Sequence, residues 1–155
     1  MKFQIKHDIE APIDFVFEQM TDFRSFERAA MRRGAEVQRV NDGEDGGLGA
    51  AWDASFKMRG KEREVQIEVT EFDAPNRLTV SSRAPSMGGD MVVELISLSR
   101  NRTRVDTSIQ LAPKNLTSKL LVQSLKLARK NVSQRLNERL ASYAVEVETR
   151  YKKSA

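Results

Sequence analysis

The sequence predicts an α+β fold: seven antiparallel strands in a meander, two short helices between the first and second strands, and one long C-terminal helix. Three observations carry this. Apolar residues recur at every second position at the start of the chain and again in six segments from residue 35 onward. The stretches between those six segments are turn clusters, not helices. From Asn115 the period changes to that of an amphipathic helix.

Phe3, Ile5, His7 and Ile9 alternate with polar neighbours and form the first strand. In "APIDFVFEQMTDF", Pro12 suits a first helical turn, and Phe15, Val16 and Met20 recur at helical spacing. A second short helix covers Phe23 to Arg32, with Phe26, Ala29 and Ala30 as its apolar stripe and Gly34 as its stop. Period two then returns in "AEVQRV", "AAWDASFKM", "EREVQIEVTEF", "NRLTVSS", "DMVVELISL" and "TRVDTSIQL". Val65, Ile67 and Val69 share one face of their strand, opposite Glu64, Gln66, Glu68 and Thr70. In "MVVELISL" a strict alternation and a bulge are both open, so the facing of Glu94 is open too.

On a wheel of about 100° per residue, Leu121, Leu125, Ala128, Val132, Leu136 and Tyr143 share one sector of the last helix, with Lys119, Lys126 and Lys130 away from it. Unbroken to about Val147, this helix is ~50 Å long at ~1.5 Å per residue, more than a domain this size needs. Its end, with "TRYKKSA" over about 149–155, is expected to project or fray. Without repeats, linkers or low-complexity tracts, residues 1–155 read as a single domain.

The chain has no cysteine, which excludes disulfides, thiolate metal sites and cysteine nucleophiles and fits a reducing compartment. "MKFQIKHDIEAP" has no apolar run of signal-peptide length, and nothing approaches the roughly 20 apolar residues of a membrane span. These features predict a cytoplasmic protein. The net charge of +4 is unevenly spread: from Pro113 onward there are ten Lys or Arg against three Glu, leaving 16 basic and 19 acidic residues before it. The usual source of such asymmetry is the solvated back of a helix, and the alternative is an acidic partner or anionic surface.

The dense glycines of "NDGEDGGLGAAWD" raise the question of a phosphate cradle. A dinucleotide fingerprint closes a strand and opens a helix, and a P-loop needs Lys then Ser or Thr after its last glycine. Here "GGLG" runs into the alternating "AAWDASFKM", with Ala50 and Ala51 in the lysine and serine places, so both nucleotide readings fail. No metal or cofactor is called for: His7 is the single histidine and reads as a core or cavity-wall residue. The serines have no second histidine to serve them, and Glu64, Glu68 and Asp53 point outward.

The order of elements, with the opening strand leading to "APIDFVFEQMTDF", the hairpin ending in "GLGAAW", the "DAPNRLTV" corner and the "NRTRVD" hairpin, resembles the START-like (SRPBCC, polyketide cyclase/dehydrase-like) superfamily. The resemblance implies a helix-grip fold, a curved sheet wrapped around the last helix, with an internal cavity for an apolar small molecule. Under it, Trp52, Phe56 and Met58 share a cavity face with Val65, Ile67 and Val80, while Phe26 contributes from the second helix. Leu121, Leu125 and Val132 close the cavity from the last helix. Gly46, Gly47 and Gly49 form a mobile rim. Arg129 lies inside the apolar sector and must either snorkel out or meet an anionic ligand group.

Three functions compete. The first is a binding protein for a small apolar ligand such as a lipid or polyketide. The second is a cyclase/aromatase-type enzyme in which Arg129, Tyr143 or His7 acts on a carbonyl. The third is an interaction module whose basic last helix docks on an anionic membrane or acidic protein. Nucleic acid is not an expected partner, since no aromatics interleave with the basic residues. Monomer and homodimer are equally compatible with the sequence.

Overall fold

The computed structural model describes residues 1–154 and has the expected order of elements. Strand β1 (Lys2–Ile9) is followed by helices α1 (Ile13–Met20) and α2 (Phe23–Arg32). Strands β2 (Glu36–Asn41), β3 (Ala51–Met58), β4 (Lys61–Asp73), β5 (Arg77–Arg83), β6 (Met87–Ser99) and β7 (Arg102–Pro113) form the meander. Helices α3 (Leu116–Leu127) and α4 (Arg129–Ser154) end the described chain.

All seven strands join one antiparallel sheet in the order β1-β7-β6-β5-β4-β3-β2. Each strand of the meander pairs with its successor, and the N-terminal strand returns to flank β7, where Phe3 lies opposite Ile109 and His7 opposite Val105. The side chains alternate as expected: along β1 Phe3, Ile5 and Ile9 are buried, with His7 half-buried between them. A register shift between Val69 and Glu71 of β4 reverses the alternation there. It lets both Val69 and Phe72 face inward, Phe72 meeting Phe17 edge-on at 5.2 Å, while Glu71 accepts bonds from Arg77 and Thr79, each at 2.8 Å.

Strand β6 settles the facing of Glu94. It alternates without a bulge from Met91 to Leu95, so Val93 and Leu95 are buried while Glu94 is exposed and accepts from Arg77 at 2.7 Å. The irregularity comes later, between Ser97 and Ser99, and Ile96 and Leu98 are left exposed.

The core lies between the sheet's inner face, α1 and the second half of α4. Ile9, Val16, Val69 and Val147 are fully buried there, along with Ala11, Ala50 and Ala144. Buried Thr103 gives its hydroxyl proton to the Ala11 carbonyl at 2.8 Å, which satisfies both groups. Caps define the helix starts: Asp22 accepts from the Ser25 N–H at 3.3 Å, and Asn115 accepts from Ser118 N–H at 2.9 Å in a capping box.

Two expectations are corrected at the C-terminus. The single long helix is broken at Ala128, so α3 and α4 are separate. Helix α3 packs on β7 through Ser118 and Val122, whereas α4 runs along β1 and over α1. Nor does α4 fray over 149–154: Phe15 and Tyr151 rings meet at 5.1 Å, and Arg150 donates to Gln19 at 3.1 Å. Ala155 of the predicted tail lies outside the described residues. Among the described residues, no helix is long and apolar enough to cross a membrane.

This packing fixes the order of mutational cost. Ile9→Ala is expected to lower unfolding free energy by about 2–5 kcal/mol, because a fully buried side chain leaves a cavity. Leu127→Ala, at a position 93% exposed, is expected to change it by less than about 0.5 kcal/mol. Urea unfolding of both variants measures the contrast.

Candidate functional site

Side chains do not fill the space between the sheet and the helices. A cavity of about 690 Å³ remains, with its floor on the inward positions of the strands and its roof on α2 and the middle of α4. The floor follows from strand alternation: Trp52, Ala54 and Phe56 on β3, Val65, Ile67 and Val69 on β4, and Leu78 and Val80 on β5 all point inward. Met91, Val93, Val105, Thr107, Ile109 and Ile5 continue it across β6, β7 and β1. Helix α2 adds Phe23, Phe26, Glu27 and Ala30, and α4 adds Leu136, Arg139, Leu140 and Tyr143.

The mouth is marked by the exposed members of the lining. Phe26 and Arg139 are exposed yet border the cavity, which places them at its opening between α2 and α4. Beside them, Arg39 of β2 holds Glu27 of α2 in a two-pronged ion pair, its Nη2 lying 2.8 and 2.9 Å from the two carboxylate oxygens. Paired, largely buried charges of this geometry fix one strand edge to one helix. The Arg39 guanidinium also lies 5.5 Å from the Trp52 ring centre, and Phe23 meets the same ring edge-on at 5.1 Å.

Two polar atoms in the cavity wall lack partners: Trp52 Nε1 and Tyr143 Oη are both buried without a hydrogen bond. Burial pushes the Tyr143 phenol up to about 12, with Glu146 and Asp22 adding to the shift and Arg150 opposing it. The hydroxyl is therefore neutral at any physiological pH. Among the described residues no group of three or more His, Cys, Asp or Glu is placed to hold a metal ion.

The structure brings together Phe26, Trp52, Phe56, Val65, Ile67 and Val80 of the sequence candidates. It leaves five others outside. Met58 keeps the inward parity of β3, but the β3–β4 hairpin runs past the helices there, and the side chain is exposed. Leu121, Leu125 and Val132 lie half-buried on the helix face the wheel assigns them, yet none borders the cavity: Leu121 and Leu125 belong to α3, which packs on β7, and Val132 to the first turn of α4, before the lining begins at Leu136. Arg129 lies at the same break: its Nη1 donates to the Lys2 carbonyl at 2.8 Å, and its guanidinium sits 5.5 Å from the Phe3 ring centre. It meets a backbone acceptor at the sheet edge, outside the cavity lining.

The glycine loop is also not at the mouth. Gly47 is buried so closely against Phe72 that a Cβ would come within 3.0 Å of the ring. Gly49 N–H donates to the Val69 carbonyl at 2.9 Å, and exposed Gly46 belongs to the single 3-10 turn Glu44–Gly46. Gly43 combines φ of 77° with a position where a Cβ would be 2.6 Å from the Ala50 nitrogen. These residues seal the far end of the core over Phe72. His7 does not border the cavity either.

Residues that sequence reasoning did not select include Met20, Phe23, Leu78, Met91, Arg139 and Leu140. The strand members had a signal in their alternation. Arg139 had one too, since it falls in the same apolar sector of the helical wheel as Leu121.

No family model matches the chain, and no curated protein matches it. Solved structures do. The Zhui aromatase/cyclase from Streptomyces sp. R1128 superposes with a TM-score of 0.68 at 14% identity, covering 97% of this chain and 94% of that one. The TTHA0849 protein of Thermus thermophilus gives 0.65 at 16% identity over 95% and 97% of the two chains. A START superfamily protein from Mycobacterium smegmatis gives 0.59 at 10% identity over 88% and 97%. At these identities the likeness is one of fold, and the fold is the START-like helix grip.

The unpartnered phenol makes a prediction. Tyr143→Phe is expected to raise unfolding free energy by about 1 kcal/mol at pH 7, because it removes a buried hydroxyl that has no hydrogen bond. The folded protein holds the phenol proton more tightly than the unfolded chain, whose tyrosine titrates near 10. The group's effect on stability is thus constant below roughly pH 10, and stability declines as pH rises toward about 12. The variant should lose that part of the decline, as followed by circular dichroism during alkaline titration.

Proposed function

We propose that this protein binds a small apolar molecule inside the cavity between the sheet and α4. One observation carries the reading: about 690 Å³ of space bordered almost wholly by aliphatic and aromatic side chains. Protein interiors normally pack to crystal-like density with few voids larger than a water molecule. An apolar void stays dry, and its lining forgoes contacts that a hydrophobic guest would restore. The volume lies within the range of small-molecule sites, roughly 300–1,000 Å³.

The placement of the polar groups shapes the ligand. The charged members of the lining, Glu27 and Arg139, come from the helices, while the floor is apolar apart from Thr107. A guest with an apolar body and one polar end fits best, with the body on the β3–β7 floor and the polar end toward α2 and α4. Binding is favoured over catalysis because the phenol that borders the space is held neutral by burial, with no hydrogen-bonded base beside it.

Filling the cavity tests the reading. Ala54→Trp places an indole in existing space on the floor, so the fold should survive with its melting temperature little changed. Binding of N-phenyl-1-naphthylamine, followed by fluorescence, is expected to weaken at least about tenfold, the loss of roughly 1.4 kcal/mol or more. Equal binding by the variant and the parent, both folded, would remove the cavity from the account.

A further inference from the structure

Helix α3 has two apolar faces, and only one of them is used by the fold. Ser118 and Val122 are buried against β7, with Leu121 and Leu125 half-buried beside them. On the opposite side Leu116, Leu120 and Leu127 are 73%, 60% and 93% exposed. At about 100° per residue these three leucines fall within about 40° of one another, so they form a single outward row. A surface helix ordinarily places polar residues there, and scattered single apolar residues need no explanation, but an aligned row does.

The charge around the row is of one sign. Lys119 and Lys126 flank it along one side of the helix, and Lys114 and Lys130 stand at its two ends. From Pro113 to Asn137 there are six Lys or Arg and no Asp or Glu. Helix α3 itself spans 12 residues between the cap at Asn115 and the break at Ala128 and is an element distinct from α4.

We propose that α3 is a docking helix for an anionic membrane surface. The outward leucine row enters the boundary between headgroups and acyl chains, where such faces bury to a depth of about 5–10 Å. The lysines stay at headgroup level and meet the negative lipids, their stems snorkelling from the helix flank. A membrane is favoured over an acidic protein partner because the row lies along one outward ridge of the helix, and a flat lipid surface receives a ridge without needing a matching groove. The break at Ala128 makes α3, which packs on β7, an element separate from α4, which runs along β1 and keeps Ala144 and Val147 in the core. This inference is independent of the cavity's contents.

Vesicle flotation tests it, with equimolar phosphatidylcholine and phosphatidylglycerol compared with phosphatidylcholine alone. The protein is expected to float with the anionic vesicles only, and to be released by about 0.5 M salt, where screening is nearly complete. The triple variant Leu116→Ser/Leu120→Ser/Leu127→Ser is expected to bind at least about tenfold more weakly. It should keep its melting temperature and its response to N-phenyl-1-naphthylamine, since none of the three leucines is in the core or the cavity lining. Lys119→Glu/Lys126→Glu should weaken flotation to at least the same extent. The proposal is overturned if the parent protein ignores anionic vesicles or if the leucine variant floats as well as the parent. It is also overturned if the parent is a dimer by light scattering that the leucine variant dissolves, with no flotation by either, because the row is then an interface between two copies.

Discussion

The structure depends on how much of the sheet's inner face α4 can cover. Seven strands of alternating side chains present an apolar surface that has to leave water, and the second half of α4 covers one part of it closely. Ala144 and Val147 are buried in one cluster with Ile9, Val16 and the strands beneath. One and two helical turns toward the start of α4, Leu140 and Leu136 face β4 and β5 across the cavity. The small residue in the sealed region matters, since Ala144 lets the helix approach where a larger side chain would hold it away. A helix lying straight across a curved sheet cannot touch all of it, so close contact at one end implies a gap elsewhere. In this fold the gap comes at the mouth, where α2 completes the roof.

That roof is held differently from the core. Helix α2 has no fully buried residue, and its link to the sheet edge is the Glu27–Arg39 ion pair together with Phe23 on Trp52. The core end is held by dispersion among interdigitated aliphatic groups, which is non-directional and accumulates over many contacts. The mouth is held by a few directional contacts that can be broken together. Elements with few buried apolar contacts belong to the low end of local stability, and they are where a guest can enter without unfolding the rest. Tight packing at the β1–α1–α4 end and a lightly held α2 are thus two consequences of one partial fit.

Much of this was legible in the sequence because alternation specifies which face of a strand a residue occupies. Trp52, Phe56, Val65, Ile67 and Val80 border the cavity from the strand faces that alternation assigns them and Phe26 from the helical stripe of α2, and the elements follow the expected order. Parity does not report how far a strand extends past its cover, and so Met58, with inward parity, ended exposed at a hairpin tip. The same limit applies to the last helix. A wheel identified the half-buried face of Leu121, Leu125 and Val132, but a wheel assumes one axis and says nothing of position along it. The turn at Ala128, with φ of −98° and ψ of 16°, ends α3, and α4 begins at Arg129. The residues after it, Leu136 to Tyr143, reach the cavity. The glycine loop failed for a related reason: glycine density reports a tight backbone, and the tightness served contact with Phe72, not access.

The two arginines of the last helix show what sequence can and cannot separate. Arg139 falls inside its apolar sector and Arg129 at the sector's edge, and desolvation cost requires each to find an acceptor or water. Arg129 follows the break and meets the Lys2 carbonyl on β1, an edge strand whose outer backbone groups have no strand partner. In doing so it helps fix where α4 starts. Arg139 lies ten residues further along, beside Leu136 and Leu140, where the helix has risen off the sheet, and it reaches water through the mouth. Their roles differ because the gap between helix and sheet differs at the two positions, and no local pattern encodes that distance. It emerges only when the whole length of α4 is laid against the curvature of the sheet, and that partial fit also creates the cavity.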